Sequence, residues 1–335
     1  MERALNLSFV LIPLCFAALT AAADANFPQA EISNGLIKAK ILLPDPERGY
    51  YRGSRFDWGG VIESLSYKGH NFFGRWFQHY DPTLHDAIMG PVEEFRGEDG
   101  ALGYNETKPG GYFVKIGVGL LRKLDDEKYS FARTYPVANA GKRVVTPESD
   151  RVHFQHELSN GEGYAYLYKK TVRLASGKPE LIIEHSLKNV GRRVIDTSVY
   201  NHDFYMIDEQ PAGPDYRVAF AFTPRAEQDL KGLAEIRDKE LAYKRELKPG
   251  GESVFTPITG FGAAAKDNDV IVENAKAQAG VRETGNRPLS AFNFWSIRST
   301  VCPEAYIHMR IEQGKTFTWK ITYRFYTLPL TGGHK

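Results

Sequence analysis

Four consecutive segments, Arg151 to Leu158, Tyr164 to Leu174, Leu181 to Leu187 and Val194 to Ile207, alternate apolar and polar residues with a period of two. Turn signals separate them: Ser159-Asn160-Gly161, Ser176-Gly177-Lys178-Pro179 and Asn189-Val190-Gly191. These residues tolerate positive φ, fix φ, or hydrogen-bond back to their own backbone. Period two over such lengths fits half-buried strands rather than helices, and short turns join strands antiparallel. An antiparallel β architecture follows.

The rest of the chain extends that pattern. Residues 32 to 43, Val61 to Tyr67, Tyr112 to Leu121, Val270 to Glu273 and Leu289 to Ile297 read as strands. The closing segment sets Phe317, Trp319, Ile321, Tyr323 and Phe325 on one face, with Thr318, Lys320, Thr322 and Arg324 opposite, so the first face is core. Aromatics make up 13% of the chain and Gly numbers 31, which favours strands and tight turns over helices. Two segments depart. His79 to Gly111 loses alternation and reads as a functional rim loop. Ala226 to Leu247 spaces Leu230, Leu233, Ile236 and Leu241 at near-helical intervals, which predicts one short helical insertion. The expected fold class is all-β, a large antiparallel β-sandwich.

The N-terminus has the form of a signal peptide: Met1-Glu2-Arg3, an apolar run from Leu5 to Leu19 broken by Pro13, then Ala21-Ala22-Ala23 and Ala23-Asp24-Ala25 as small-residue cleavage sites. Residues 1–25 are expected to be removed, leaving 26–335 as a single exported domain, periplasmic or extracellular. No later stretch approaches the ~20 apolar residues of a membrane span. Cys15 lies in the signal, so Cys302 remains alone and no internal disulfide forms; stability then rests on a large hydrophobic core. A net charge of +2 without a basic stripe argues against nucleic acid as partner and for a neutral one.

In Tyr200-Asn201-His202-Asp203-Phe204-Tyr205-Met206-Ile207-Asp208, strand alternation places Tyr200, Phe204 and Asp208 on the same face as His202. One imidazole between aromatic rings makes a surface on which a sugar ring fits, although a lone histidine in such a place more often only packs and hydrogen-bonds. A second group complements it. Glu304 follows Val301-Cys302-Pro303, and alternation puts Glu304, Tyr306, His308 and Arg310 on one side of a strand whose other side is Ala305, Ile307, Met309 and Ile311. By itself that glutamate reads more readily as a solvated strand end.

Asn201-His202-Asp203-Phe204-Tyr205 resembles the Asn-His-x-[Tyr/Phe]-[Phe/Tyr] strand of the aldose 1-epimerases, the galactose mutarotase-like proteins. Val301-Cys302-Pro303-Glu304, followed by Ile311-Glu312-Gln313-Gly314-Lys315 and Thr322-Tyr323-Arg324-Phe325, is similar to that family's catalytic-glutamate strand, turn and closing strand. Ser64, Leu65 and Gly69 resemble its opening strand and turn. The family's His-Gly-Gly segment is missing, and Met89-Gly90-Pro91-Val92-Glu93-Glu94-Phe95 stands where related sugar epimerases have a Gly-rich loop. The resemblance implies a sandwich with a sugar cleft on one concave sheet, His202 as the acid that protonates the ring oxygen, and Glu304 as the base at the anomeric hydroxyl. Acid and base flanking one ring are expected about 5 to 9 Å apart.

Candidate substrate contacts are Arg55, His85, Glu93, Glu94, Tyr200, Phe204 and Asp208; for the charged ones a structural ion pair is the commoner role. His79, Asp81, His85 and Asp86, and the pair His153 and His156, lack tight ligand spacing, so no metal and no cofactor is expected. Asn105-Glu106-Thr107 is a formal glycosylation sequon. Three function classes fit: a sugar isomerase acting on a monosaccharide or glycan, a non-catalytic carbohydrate-binding protein, and a glycan hydrolase or lyase.

Overall fold

The computed structural model describes residues 27–329 apart from 98, 99 and 162; the signal-peptide reading lies outside them. Two antiparallel sheets dominate. The larger has ten strands, running from Ala234–Arg237 at one edge through Glu240–Tyr243, Tyr216–Phe220, Asp269–Asn274, Ala279–Gly285, Thr316–Thr327, Glu180–Asn189, Tyr164–Leu174 and Arg151–Gly161 to Lys142–Pro147. The smaller has six, in the order Arg225–Ala226, Ser253–Thr259, Ala291–Ile297, Thr300–Ile311, Ile195–His202 and Val92–Arg96. A four-stranded and a three-stranded sheet complete the fold. Of the meander read from Arg151 onward, the first three strands are hydrogen-bonded neighbours in the larger sheet, while the fourth, Ile195–His202, crosses to the smaller sheet, where it lies between Thr300–Ile311 and Val92–Arg96.

Alternation decides what each strand shows to its neighbour sheet. Val199, Ile307, Met309, Ile311 and Phe95 point from the six-stranded sheet into a core shared with Tyr166, Tyr168, Leu187 and Trp319 of the larger one. Phe95 lies edge-on to both Tyr168 and Trp319, at 5.3 and 6.0 Å between ring centres. Full burial of one such side chain stabilises by about 1.5–3 kcal/mol. A polar seam crosses the same interior. Lys170 meets Asp57 at 2.7 Å and also Glu93, and the Tyr323 hydroxyl donates to Asp203 Oδ1 at 3.1 Å while accepting from Asn201 Nδ2 at 3.1 Å. Seam carboxylates sit among these partners because a buried charge without one is expensive.

Three further expectations are corrected. The helical insertion at 226–247 is a hairpin of Ala234–Arg237 and Glu240–Tyr243; among the described residues the helices are two three-residue 3₁₀ turns. Lys231, Gly232 and Asp238 have φ of +53°, +66° and +50°, a left-handed conformation that no α-helix accepts, while Leu230, Leu233 and Leu241 are buried all the same. The rim loop His79 to Gly111 contains the strand Val92–Arg96, hydrogen-bonded to Ile195–His202. The strand expected to run on to Asp208 stops at His202, because Phe204, Asp208 and Glu209 turn to positive φ. Among the described residues no helix is long and apolar enough to cross a membrane.

Candidate active site

Ile195–His202 and Thr300–Ile311 pair antiparallel from Ile195 opposite Ile311 to Val199 opposite Ile307. A further bridge, Tyr205 opposite Val301, keeps the same register. Carried through the residues between, that register sets Tyr200 against Tyr306 and His202 against Glu304, all on the face turned away from the larger sheet. The tyrosine rings stack at 4.2 Å. His202 Nε2 lies 3.4 Å from Glu304 Oε1. The separation is shorter than the span expected for groups flanking a ring. The physical reason is register: residues directly opposite on neighbouring antiparallel strands have their Cβ atoms about 4.5–5.5 Å apart, so their side chains meet.

Aromatic rings fix the imidazole. Phe204 stacks on it at 3.9 Å and 6°, Trp76 stacks on Phe204 at 4.8 Å, and Phe56 and Trp295 meet the imidazole edge-on at 5.7 and 5.4 Å. Successive same-face residues of a regular strand stand farther apart than this stack; the φ of +48° at Phe204 draws its ring under His202. That conformation costs about 1–2 kcal/mol for a residue with a Cβ, which the complete burial of Phe204 offsets. Glu304 Oε2 accepts from the Tyr306 hydroxyl at 3.2 Å, and Asn293, opposite Glu304 on the next strand, donates to that hydroxyl at 3.2 Å.

Burial pushes Glu304 up to about 7, against the opposing pull of the Arg55 charge and the Tyr306 hydroxyl. Burial also pushes His202 down to about 3, and Arg55 acts in the same direction. A salt bridge would show the opposite pattern, with the histidine raised and the carboxylate lowered. The resting pair is therefore neutral between pH about 3 and about 7, with one proton on the carboxyl and an uncharged imidazole facing it.

The pair opens on a cavity of about 450 Å³, within the size range of small-molecule sites. Of the residues singled out in the sequence, Arg55, Tyr200, His202, Phe204 and Glu304 line it. Arg55 is fully engaged, however: Nε donates to Glu94 Oε2 at 2.8 Å, Nη2 to the Tyr200 hydroxyl at 3.1 Å and Nη1 to Asp86, between the rings of Phe56 and Phe131. Glu94 lies behind the wall, fully buried. Burial alone would raise it, yet Arg55, Lys115 and the Tyr200 hydroxyl outweigh that and hold it well below the usual carboxylate range. Glu93 points the other way, into the seam with Lys170. His85 pairs with Asp86 at 3.1 Å outside the lining. Asp208 faces elsewhere, holding His70 Nδ1 at 2.7 Å and the Asn71 amide at 2.8 Å.

Asp86, Arg96, Phe131, Asn293, Trp295 and Tyr306 complete the chemically distinctive part of the wall. Tyr306 shares the Glu304 face already legible in the sequence. Asn293 and Trp295 lie on a predicted strand, but nothing in the chain announces its register with Glu304. Arg96 was hidden in the segment read as loop.

No protein-family model and no curated protein matches the chain. Solved structures do. The GalM/aldose epimerase homologue from C. elegans superposes with a TM-score of 0.57 at 13% identity, over 90% of this chain and 99% of that one. A galactose mutarotase-like protein from Clostridium acetobutylicum gives 0.53 at 11% over 89% and 95%, and galactose 1-epimerase from Lactobacillus acidophilus 0.52 at 10% over 90% and 95%. The chain has the galactose mutarotase-like fold. In this mutarotase-like sandwich the His202 and Glu304 strands are central in the smaller sheet, and the cavity lies on that sheet's outer face.

Proposed function

We propose that this protein is a carbohydrate isomerase of the aldose 1-epimerase type, interconverting the anomers of a monosaccharide at His202 and Glu304. The observation that carries the reading is the 3.4 Å pair in the wall of a cavity of about 450 Å³. Ring opening removes a proton from the anomeric hydroxyl and places one on the ring oxygen; rotation about C1–C2 and reclosure give the other anomer. Moving the shared proton to the imidazole makes His202 the acid and Glu304 the base. Leaving it on the carboxyl exchanges the roles, and reclosure uses the groups in reverse. A matched acid and base each contribute about 10²- to 10⁴-fold. The names of the structural neighbours, aldose epimerase and galactose 1-epimerase, support the same chemistry. Export after loss of residues 1–25 is part of this proposal.

The test is polarimetry or NMR on freshly dissolved α-anomers with chelator present. Catalysed equilibration is expected to persist, because side chains supply both proton transfers. Binding without any acceleration over buffer would move the protein to the carbohydrate-binding class.

A further inference from the structure

The cavity wall holds two arginines with different surroundings. Arg55 is matched: with Lys115, which donates to Glu94 Oε1 at 3.2 Å, it faces the carboxylates of Glu94 and Asp86, so two positive charges meet two negative ones. Arg96 stands two residues beyond Glu94 on the same strand, hence on the same face. Its guanidinium lies 5.5 Å from the centre of the Phe131 ring and lines the cavity. Among the described residues no carboxylate is in ion-pair contact with it. The nearest acidic position along the neighbouring strand, Asp196, is already taken by His308 and Arg310, each at 2.7 Å. Glu94 acts on Arg96 through space but is held in contact by Arg55 and Lys115, so among the described residues the wall carries one positive charge beyond those its carboxylates pair, opposite the end where His202 and Glu304 stand.

Arg96 pairs with Ser198, four residues from His202, about 13 Å along the strand at ~3.3 Å per residue. The stacked Tyr200 and Tyr306 lie between. A sugar ring carrying one extended substituent, met by a long arginine side chain, spans that distance. A guanidinium presents a planar fork of donors that matches an oxyanion better than a single hydroxyl, and its charge acts more strongly in a partly dehydrated cavity than in water.

We propose that the sugar taken by this cavity bears an oxyanion, a carboxylate or a phosphate, which Arg96 holds beside Phe131 while the anomeric carbon sits at His202 and Glu304. The proposal rests on the reading of the cavity as a sugar site and replaces the neutral partner inferred from net charge.

The experiment is calorimetric titration of the full chain with glucose, galactose, glucuronate, galacturonate and glucose 6-phosphate, at low and high salt, with anomerisation followed in parallel. At least one anionic sugar is expected to bind about 10- to 100-fold more tightly than the neutral hexoses, with the margin shrinking in salt. Uronates and the phosphate ester tell the two oxyanions apart. Arg96→Gln is expected to bring the anionic-to-neutral ratio to about one, and Arg96→Lys to keep part of it, since the charge survives without the fork. Equal or tighter binding of neutral hexoses by the unaltered protein overturns the proposal, with no variant needed. So does an anion preference that survives Arg96→Gln. Anion-selective binding without turnover would remove the epimerase reading alone, turnover without anion preference would remove this proposal alone, and no binding of any sugar would remove both.

Discussion

Glu94 and Glu304 stand on the same face of the six-stranded sheet, separated by the strand that carries Tyr200 and His202. Both are buried, at 0% and 5% exposure. Glu94 touches Arg55, Lys115 and a tyrosine hydroxyl; Glu304 touches a tyrosine hydroxyl and an uncharged imidazole. The first is a fixed negative charge held well below the usual carboxylate range, and the second is raised to about 7. Burial is common to both, so it does not make a carboxyl catalytic. What differs is the cation in contact: where one is present the carboxylate becomes structure, and where it is withheld the carboxyl stays poised to exchange its proton near neutral pH.

The largest effect expected from breaking this contrast is on rate. His202→Asn and Glu304→Gln each remove one half of the pair while keeping a polar side chain, and each is expected to lower catalysed anomerisation by about 10²- to 10⁴-fold. Sugar affinity should change much less. Polarimetry on protein whose circular dichroism matches the unaltered chain measures this, and unchanged rates in both variants would end the assignment.

Next comes the structural side of the comparison. Arg55→Met leaves Glu94 and Asp86 without their shared cation, and removing one partner of a buried ion pair destabilises by about 3–5 kcal/mol. Denaturant unfolding should show a lower midpoint with an unchanged slope. A stability loss under about 1 kcal/mol would mean that Arg55 is a solvated cavity residue, with the small energy of an exposed ion pair.

The sequence showed Glu304 and concealed the distinction. Alternation put His202 and Tyr200 on one face, and Glu304 and Tyr306 on another strand's face, because one-sided burial leaves a period-two trace. Cross-strand register leaves no such trace, so the 3.4 Å contact was beyond reach, and Glu93 and Glu94 looked alike although one faces the seam and the other the cavity wall. Arg96 and its strand are not legible because Glu93-Glu94 and Arg96 interrupt the apolar pattern: the two glutamates are buried against cations brought from elsewhere in the chain, and Arg96 lines the cavity. The helical spacing in Ala226 to Leu247 misled because a loop and hairpin bury leucines at similar intervals. Asp208 lies away from the cavity because positive φ at Phe204, which alternation does not reveal, ends the strand before it.

A third and smaller effect is one of opposite signs. Glu304 is raised in the folded protein, so its contribution to stability is present below its unfolded value of 4.5 and is lost as pH rises through about 7. Glu304→Gln is therefore expected to stabilise at pH about 8, by about 3 kcal/mol, and to change little below pH about 4.5. Glu94 is lowered, so its contribution is present above 4.5 and is lost only as pH falls through its depressed folded value. Glu94→Gln should destabilise at neutral pH, and progressively less in acid. Thermal unfolding of both variants against pH checks the pair; shifts of the same sign would show that the two carboxyls share one environment.

The smallest effect is on the shape of the pH profile. Turnover needs one proton in the His202–Glu304 pair, and above pH about 7 that proton leaves Glu304 while the imidazole, lowered to about 3, does not hold it. The second-order rate constant kcat/KM should fall about tenfold per pH unit on the alkaline side, with a plateau through mildly acidic pH until His202 takes its own proton. Arg55 lowers both groups, so Arg55→Met should move the alkaline inflection to higher pH, provided the variant folds. A rate that climbs with pH above 7 would instead mean that the deprotonated carboxylate works without an acid partner, and His202 would then be a packed ring rather than half of a proton-transfer pair.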